Sequence, residues 1–93
     1  MNVLLDTNIF INWVLDTDRL SKTVYDILIE PENAIFLSTI SIWEIQIKSS
    51  LGKLDIGGNL AEVVSEQQEQ NGFRILDLSI EHIYTLVGVA YRR

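Results

Sequence analysis

The 93-residue sequence contains no cysteine, one proline, one histidine and one methionine. The missing cysteines exclude a disulfide framework, a thiol nucleophile and cysteine-ligated zinc. A lone histidine, His82, leaves no material for a multi-histidine metal site and argues against a serine–histidine triad. No apolar run approaches the ~20 residues that cross a bilayer, so no membrane partner is expected. The N-terminus lacks a basic stretch, and Asp6 interrupts its short apolar start, which argues against a secretory leader and predicts a cytoplasmic location. Positive charge is scarce as well: 7 Lys and Arg stand against 13 Asp and Glu, a formal charge of −6. Such a chain is a poor non-specific nucleic-acid binder, because phosphate neutralisation needs Lys and Arg. A local basic patch or a metal ion is then required to bring a phosphate in.

What is present is mostly apolar side chains and carboxylates. At 47% hydrophobic and 22% charged the composition is that of a globular protein, not a disordered one. The length supports one modest core and a single domain over residues 1–93. Residues 2–5 form a short apolar strand, and Ile9 to Leu15 a helix capped by Asp6 or Thr7. Ser21 caps a second helix that Pro31 terminates. Ala34 to Leu37 is a second strand. The stretch from Ile40 to Ile47 partly alternates, as a strand does, but Ile40, Trp43, Ile47, Leu51 and Leu54 also share one helix face. The capping-box spacing of Ser41 and Glu44, and the stop at Gly52, favour the helix. Asn59 starts another helix, which ends at Asn71-Gly72. Phe73 to Leu76 is a third strand, and Ser79 caps a last helix with Ile80, Ile83, Tyr84, Val87, Ala90 and Tyr91 on its face.

Short apolar strands separated by helical crossovers pair in parallel, which predicts an α/β fold. Open parallel sheets bind ligands beyond the carboxyl ends of their strands. Asp6 follows the first strand, Glu44 lies early in the helix after the second, and Asp77 follows the third. Converging carboxylates suit a hard divalent ion, Mg²⁺ or Mn²⁺, which activates water and neutralises charge developing on a phosphodiester. Plainer roles compete for every residue. Asp6, Thr7 and Asn8 are suited to capping, and Glu44 to a capping box or to pairing with Lys48. Asp77 fits a turn, and His82 a structural or surface position. Lys48 and Lys53 suit a solvated helix end, and Arg92 and Arg93 a basic terminus. The first helix is apolar nearly all round, which predicts either a central position or a hydrophobic partner surface.

Val3-Leu4-Leu5-Asp6-Thr7-Asn8 resembles the opening of PIN-domain ribonucleases. Ser38 to Lys48, followed by Leu51-Gly52-Lys53-Leu54, resembles that family's second motif, and more narrowly that of VapC-type toxins of bacterial type II toxin–antitoxin pairs. Asn71-Gly72-Phe73 and Glu81-His82 agree with it. The resemblance implies a PIN-like parallel sheet in an α/β/α sandwich. It implies a Mg²⁺- or Mn²⁺-dependent endoribonuclease acting on RNA, commonly tRNA or rRNA. Its implied partners are a cognate antitoxin and a second copy of the toxin. Asp6 matches the first catalytic, metal-binding acid, Glu44 the second, and Thr7 an accessory hydroxyl. Relatives of this type continue for several tens of residues and carry a third acid there, so the resemblance implies a domain shortened at its C-terminus, with an incomplete acid set and an unpaired sheet edge. A non-catalytic PIN-fold module that pairs with an antitoxin or a full-length relative is the alternative, and a frameshifted remnant that folds only as an oligomer a further one.

Overall fold

The computed structural model describes residues 1–85. Three strands form one sheet: β1 (Asn2–Leu4), β2 (Ala34–Ser38) and β3 (Arg74–Leu76). Their order is β1-β2-β3 and both pairings are parallel. Helices α1 (Thr7–Leu15) and α2 (Lys22–Ile29) connect β1 to β2, with a short 3₁₀ turn over Thr17–Arg19 between them. Helices α3 (Thr39–Ser50) and α4 (Leu60–Asn71) connect β2 to β3, and α5 (Ile80–Thr85) follows β3. The predicted α/β class and parallel sheet are therefore observed. The part of the last helix expected around Val87, Ala90 and Tyr91, and the basic terminus at Arg92 and Arg93, lie outside the described residues.

Local sequence accounts for most boundaries. Asp6, Ser21 and Asn59 accept hydrogen bonds from Asn8 N, Val24 N and Glu62 N and so cap α1, α2 and α4. Glycines end two helices. At Gly52 (φ 72°) the amide donates to Ser49 O and that of Lys53 to Lys48 O, a pair of bonds that needs a left-handed residue. Gly72 (φ 68°) closes α4. The expected third strand loses its first residue: Phe73 is buried, its ring packed on Phe10 and Trp13 at 6.3 and 5.9 Å.

The core consists of Val3 of β1 and Leu5 just beyond it, Ile35 and Leu37 of β2, Phe10 of α1, Val24 and Leu28 of α2, Ile45 of α3, Ile56 and Phe73. Helix α1 sits centrally. Phe10 is fully buried, and Ile9, Ile11, Trp13 and Val14 pack against the core. Trp13 also meets Tyr25 of α2, and its indole Nε1 donates to Gln67 Oε1 of α4 at 2.8 Å. The apolar circumference of α1 is thus covered from several sides within one chain, and only Leu15 among its large apolar residues is exposed.

Helix α3 departs from expectation. The row Ile40, Trp43, Ile47 and Leu51 does not face the core; Trp43 is 65% and Leu51 64% exposed. The inward face carries Ser41 and Ile45 instead, both buried. Leu54 lies beyond the helix and packs on the core.

Candidate active site

β1 and β2 end side by side, with Leu5 N bonded to Phe36 O at 2.9 Å. Beyond β1 the backbone stays extended through Asp6 (φ −65°, ψ 145°), whose Oδ1 accepts from Asn8 N at 2.7 Å. Asp6 is therefore the cap of α1, as its position predicts, and Thr7 is the first helical residue. Asn8 takes part through its backbone amide.

The cap of α3 is Ser38, the last residue of β2, and not Ser41. Ser38 Oγ accepts from Ser41 N at 3.1 Å. This corrects the capping box expected at Ser41 and Glu44: with the helix starting three residues earlier, Glu44 falls in its second turn, beyond reach of the free N-terminal amides. Its carboxylate turns instead to α1, where Thr7 Oγ1 donates to Glu44 Oε1 at 2.8 Å. Thr7 Oγ1 also lies 2.7 Å from Ser41 Oγ. The pairing of Glu44 with Lys48 is not seen; the side-chain ion pairs among the described residues are Arg19–Asp16 and Lys22–Asp26.

These contacts tie two segments 37 positions apart in sequence. Asp6 adjoins Thr7 in the chain, so Asp6 and Glu44 stand at the same edge of the sheet. Both are partly buried, a setting in which water screens charge less than at an open surface. Two carboxylates flanked by hydroxyls are hard oxygen donors. They fit Mg²⁺ or Mn²⁺, which commonly take one or two carboxylates and complete their shells with water. Each carboxylate oxygen pair offers about four lone-pair sites, so the hydrogen bond to Thr7 leaves Glu44 capacity to ligate. Among the described residues no cluster of three or more Asp, Glu, His or Cys is arranged to hold a metal.

Asp77 follows β3 and is exposed. The next residue, Leu78, donates its amide to Thr39 Oγ1 at 3.4 Å, which ties this loop to the start of α3. Asp77 thus belongs to the same edge without joining a three-carboxylate group. The side chain of His82 lies outside the described residues. Two polar residues escaped the sequence reading as parts of the site, Ser38 and Ser41. Both are buried, at 6% and 5% exposure. The signal for Ser38 was present, since a serine at the end of an apolar strand, ahead of a helical stretch, is a natural cap.

The family model described as PIN domain matches residues 3–92. No match was found among curated proteins or among solved structures.

Proposed function

The chain belongs to the PIN-domain family, and from that membership we propose a Mg²⁺- or Mn²⁺-dependent endoribonuclease in which Asp6 and Glu44 hold the ion. The PIN domain is a nuclease-type fold, generally dependent on a divalent metal and acting on RNA. The observation that supports the reading for this chain is the Thr7–Glu44 hydrogen bond, which ties Glu44 to the residue next to Asp6. The bound ion supplies an activated water and a counter-charge for the phosphodiester. The chain's own residues do the positioning. Asp6 is fixed by its bond to Asn8 N, Thr7 orients Glu44, and the partly buried edge limits screening of the two carboxylates.

The finer reading is a VapC-type toxin, with a cognate antitoxin and a second copy of the chain as protein partners. Its support is the motif resemblance around Ser38 to Leu54, together with the exposed apolar row Ile40, Trp43, Ile47 and Leu51, a surface suited to protein contact. A second reading, a non-catalytic PIN-fold module, draws on a different observation, that no group of three or more Asp, Glu, His or Cys among the described residues is arranged to hold a metal.

The deciding experiment is cleavage of RNA by the purified chain in Mn²⁺, with an EDTA control and the Asp6→Asn and Glu44→Gln variants alongside. The ribonuclease reading predicts cleavage that EDTA abolishes and that each variant reduces by about 10²-fold or more, the scale of losing one group that stabilises developing charge. Equal cleavage in every lane identifies a contaminating nuclease. A folded chain that cleaves nothing in Mn²⁺ overturns the enzyme and leaves the binding module.

A further inference from the structure

Counting protons around Thr7 gives Ser41 a role that its place in a helix does not. A carboxylate accepts hydrogen bonds and has no proton to give, so the 2.8 Å contact between Thr7 Oγ1 and Glu44 Oε1 uses the one proton of the Thr7 hydroxyl. The 2.7 Å contact between Thr7 Oγ1 and Ser41 Oγ must then carry the Ser41 proton. Ser41 Oγ, having given its proton away, receives that of Ser38 Oγ at 3.4 Å. Ser38 Oγ is itself anchored by Ser41 N at 3.1 Å. Three hydroxyls, from the end of β2, from α3 and from α1, therefore point one way and finish on Glu44. Ser38 and Ser41 are nearly inaccessible to solvent, so bulk water does not compete for these bonds.

We propose that Ser41 is a positioning residue for Glu44. It acts through Thr7, holding the threonine hydroxyl in the one orientation that delivers its proton to the carboxylate. A threonine near a helix start has more than one staggered χ1 well open to it. The Ser41 donor selects the well in which Oγ1 lies between Ser41 and Glu44. The significance of this for metal binding rests on the reading of Glu44 as a metal ligand; the orientation of Thr7 does not.

Two readouts separate those layers. The first is Mn²⁺ affinity, followed by the electron paramagnetic resonance signal of the free ion, for the wild type, Ser41→Ala, Thr7→Val and the double variant. Removing a group bonded directly to a metal ligand costs about 10–100-fold in affinity, which is the loss expected of Thr7→Val. Ser41→Ala, one bond further out, is expected to cost about 3–10-fold on the same scale. Because Ser41 acts through Thr7, adding Ser41→Ala to Thr7→Val is expected to change nothing more. The second readout is the χ1 distribution of Thr7 from three-bond couplings to its methyl carbon: one rotamer in the wild type, averaging in Ser41→Ala. Where alanine unfolds the chain, Ser41→Cys keeps the shape with a weak donor and is expected to show the same losses. Additive effects in the cycle, or wild-type affinity in folded Ser41→Ala, overturn the proposal. If the wild type binds no Mn²⁺, the ribonuclease reading fails, and the Thr7 rotamer decides for or against Ser41 by itself.

Discussion

Helices α1 and α3 start alike and end differently. Each leaves the carboxyl end of a parallel strand, each is capped by a polar residue at or just beyond that end, and each is rich in large apolar side chains. Helix α1 is enclosed: Phe10 is fully buried and Trp13 is packed between α2, α4 and Phe73. Helix α3 turns its longest apolar row outward and buries Ser41 with Ile45. Hydrophobicity alone therefore did not choose the inward face of α3, although Ile45 and Ile42 lie on it. A buried hydroxyl is costly without a partner. Ser41 finds two on that side, Thr7 and Ser38, and Glu44 finds Thr7. The comparison shows a helix oriented in part by its polar bonds, with apolar surface left outside as the consequence.

The strongest test of this contrast is truncation of the two buried anchors. Phe10→Ala is expected to cost about 3–5 kcal/mol and Ile45→Ala about 2–5 kcal/mol, the range for emptying a packed core site. Urea denaturation followed by circular dichroism measures both. A small loss at Ile45 would mean that the inward face of α3 is not a packed face at all. Ser49 sharpens the same point with the opposite sign. It lies in α3 with its hydroxyl buried and without a hydrogen-bond partner among the described residues. Ser49→Ala is therefore expected to stabilise the chain by about 1 kcal/mol, from relieved desolvation and better helix propensity. Trp43→Gln, on the exposed row, is expected to change stability by less than about 0.5 kcal/mol, and to raise the concentration at which the protein self-associates if that row meets a second copy of the chain.

The smallest expected effect lies at the Lys22–Asp26 pair on α2, at 2.7 Å. The hydrogen bond from Lys22 to Asp26 and the charge beside it raise the lysine's pKa above 10.5. The sign follows from that direction: the contribution is complete below the unfolded lysine's pKa and fades as pH rises through the folded one. Both groups are solvent-exposed, so Asp26→Asn is expected to leave the neutral-pH midpoint unchanged within replicate scatter and to flatten a slight loss of stability above pH ~10.5. A large effect at neutral pH would place this pair among the structural interactions, contrary to its exposure.

Much of the site was legible in the chain because its signals are local. Asp6 before a helical stretch reads as a cap, and Ser21, Asn59 and Gly52 are recognised from the residues beside them. The order of short apolar strands and helices implied parallel pairing, which by itself put Asp6 and the start of α3 at one edge. What local reading missed was the start of α3. Ser38 and Ser41 are both serines three residues ahead of a plausible partner, and the choice between them rotates the capping assignment onto or away from Glu44. The structure chose Ser38, and that released Glu44 for Thr7.

The sequence by itself determined the class of fold, the strand and helix order, most of the caps and the two helix stops, and its motif resemblance is what proposes Asp6 and Glu44 as the acids. These depend on neighbours a few residues apart, through backbone geometry and short side-chain bonds. The tertiary structure decided which face of α3 turns inward, that α1 is enclosed by its own chain, and that Glu44 bonds to Thr7 and not to Lys48. Those outcomes depend on groups brought together from other elements, 12 positions away for Trp13 and Tyr25 and 34 or more for the partners of Thr7, where packing and the need to satisfy buried hydroxyls select the partner.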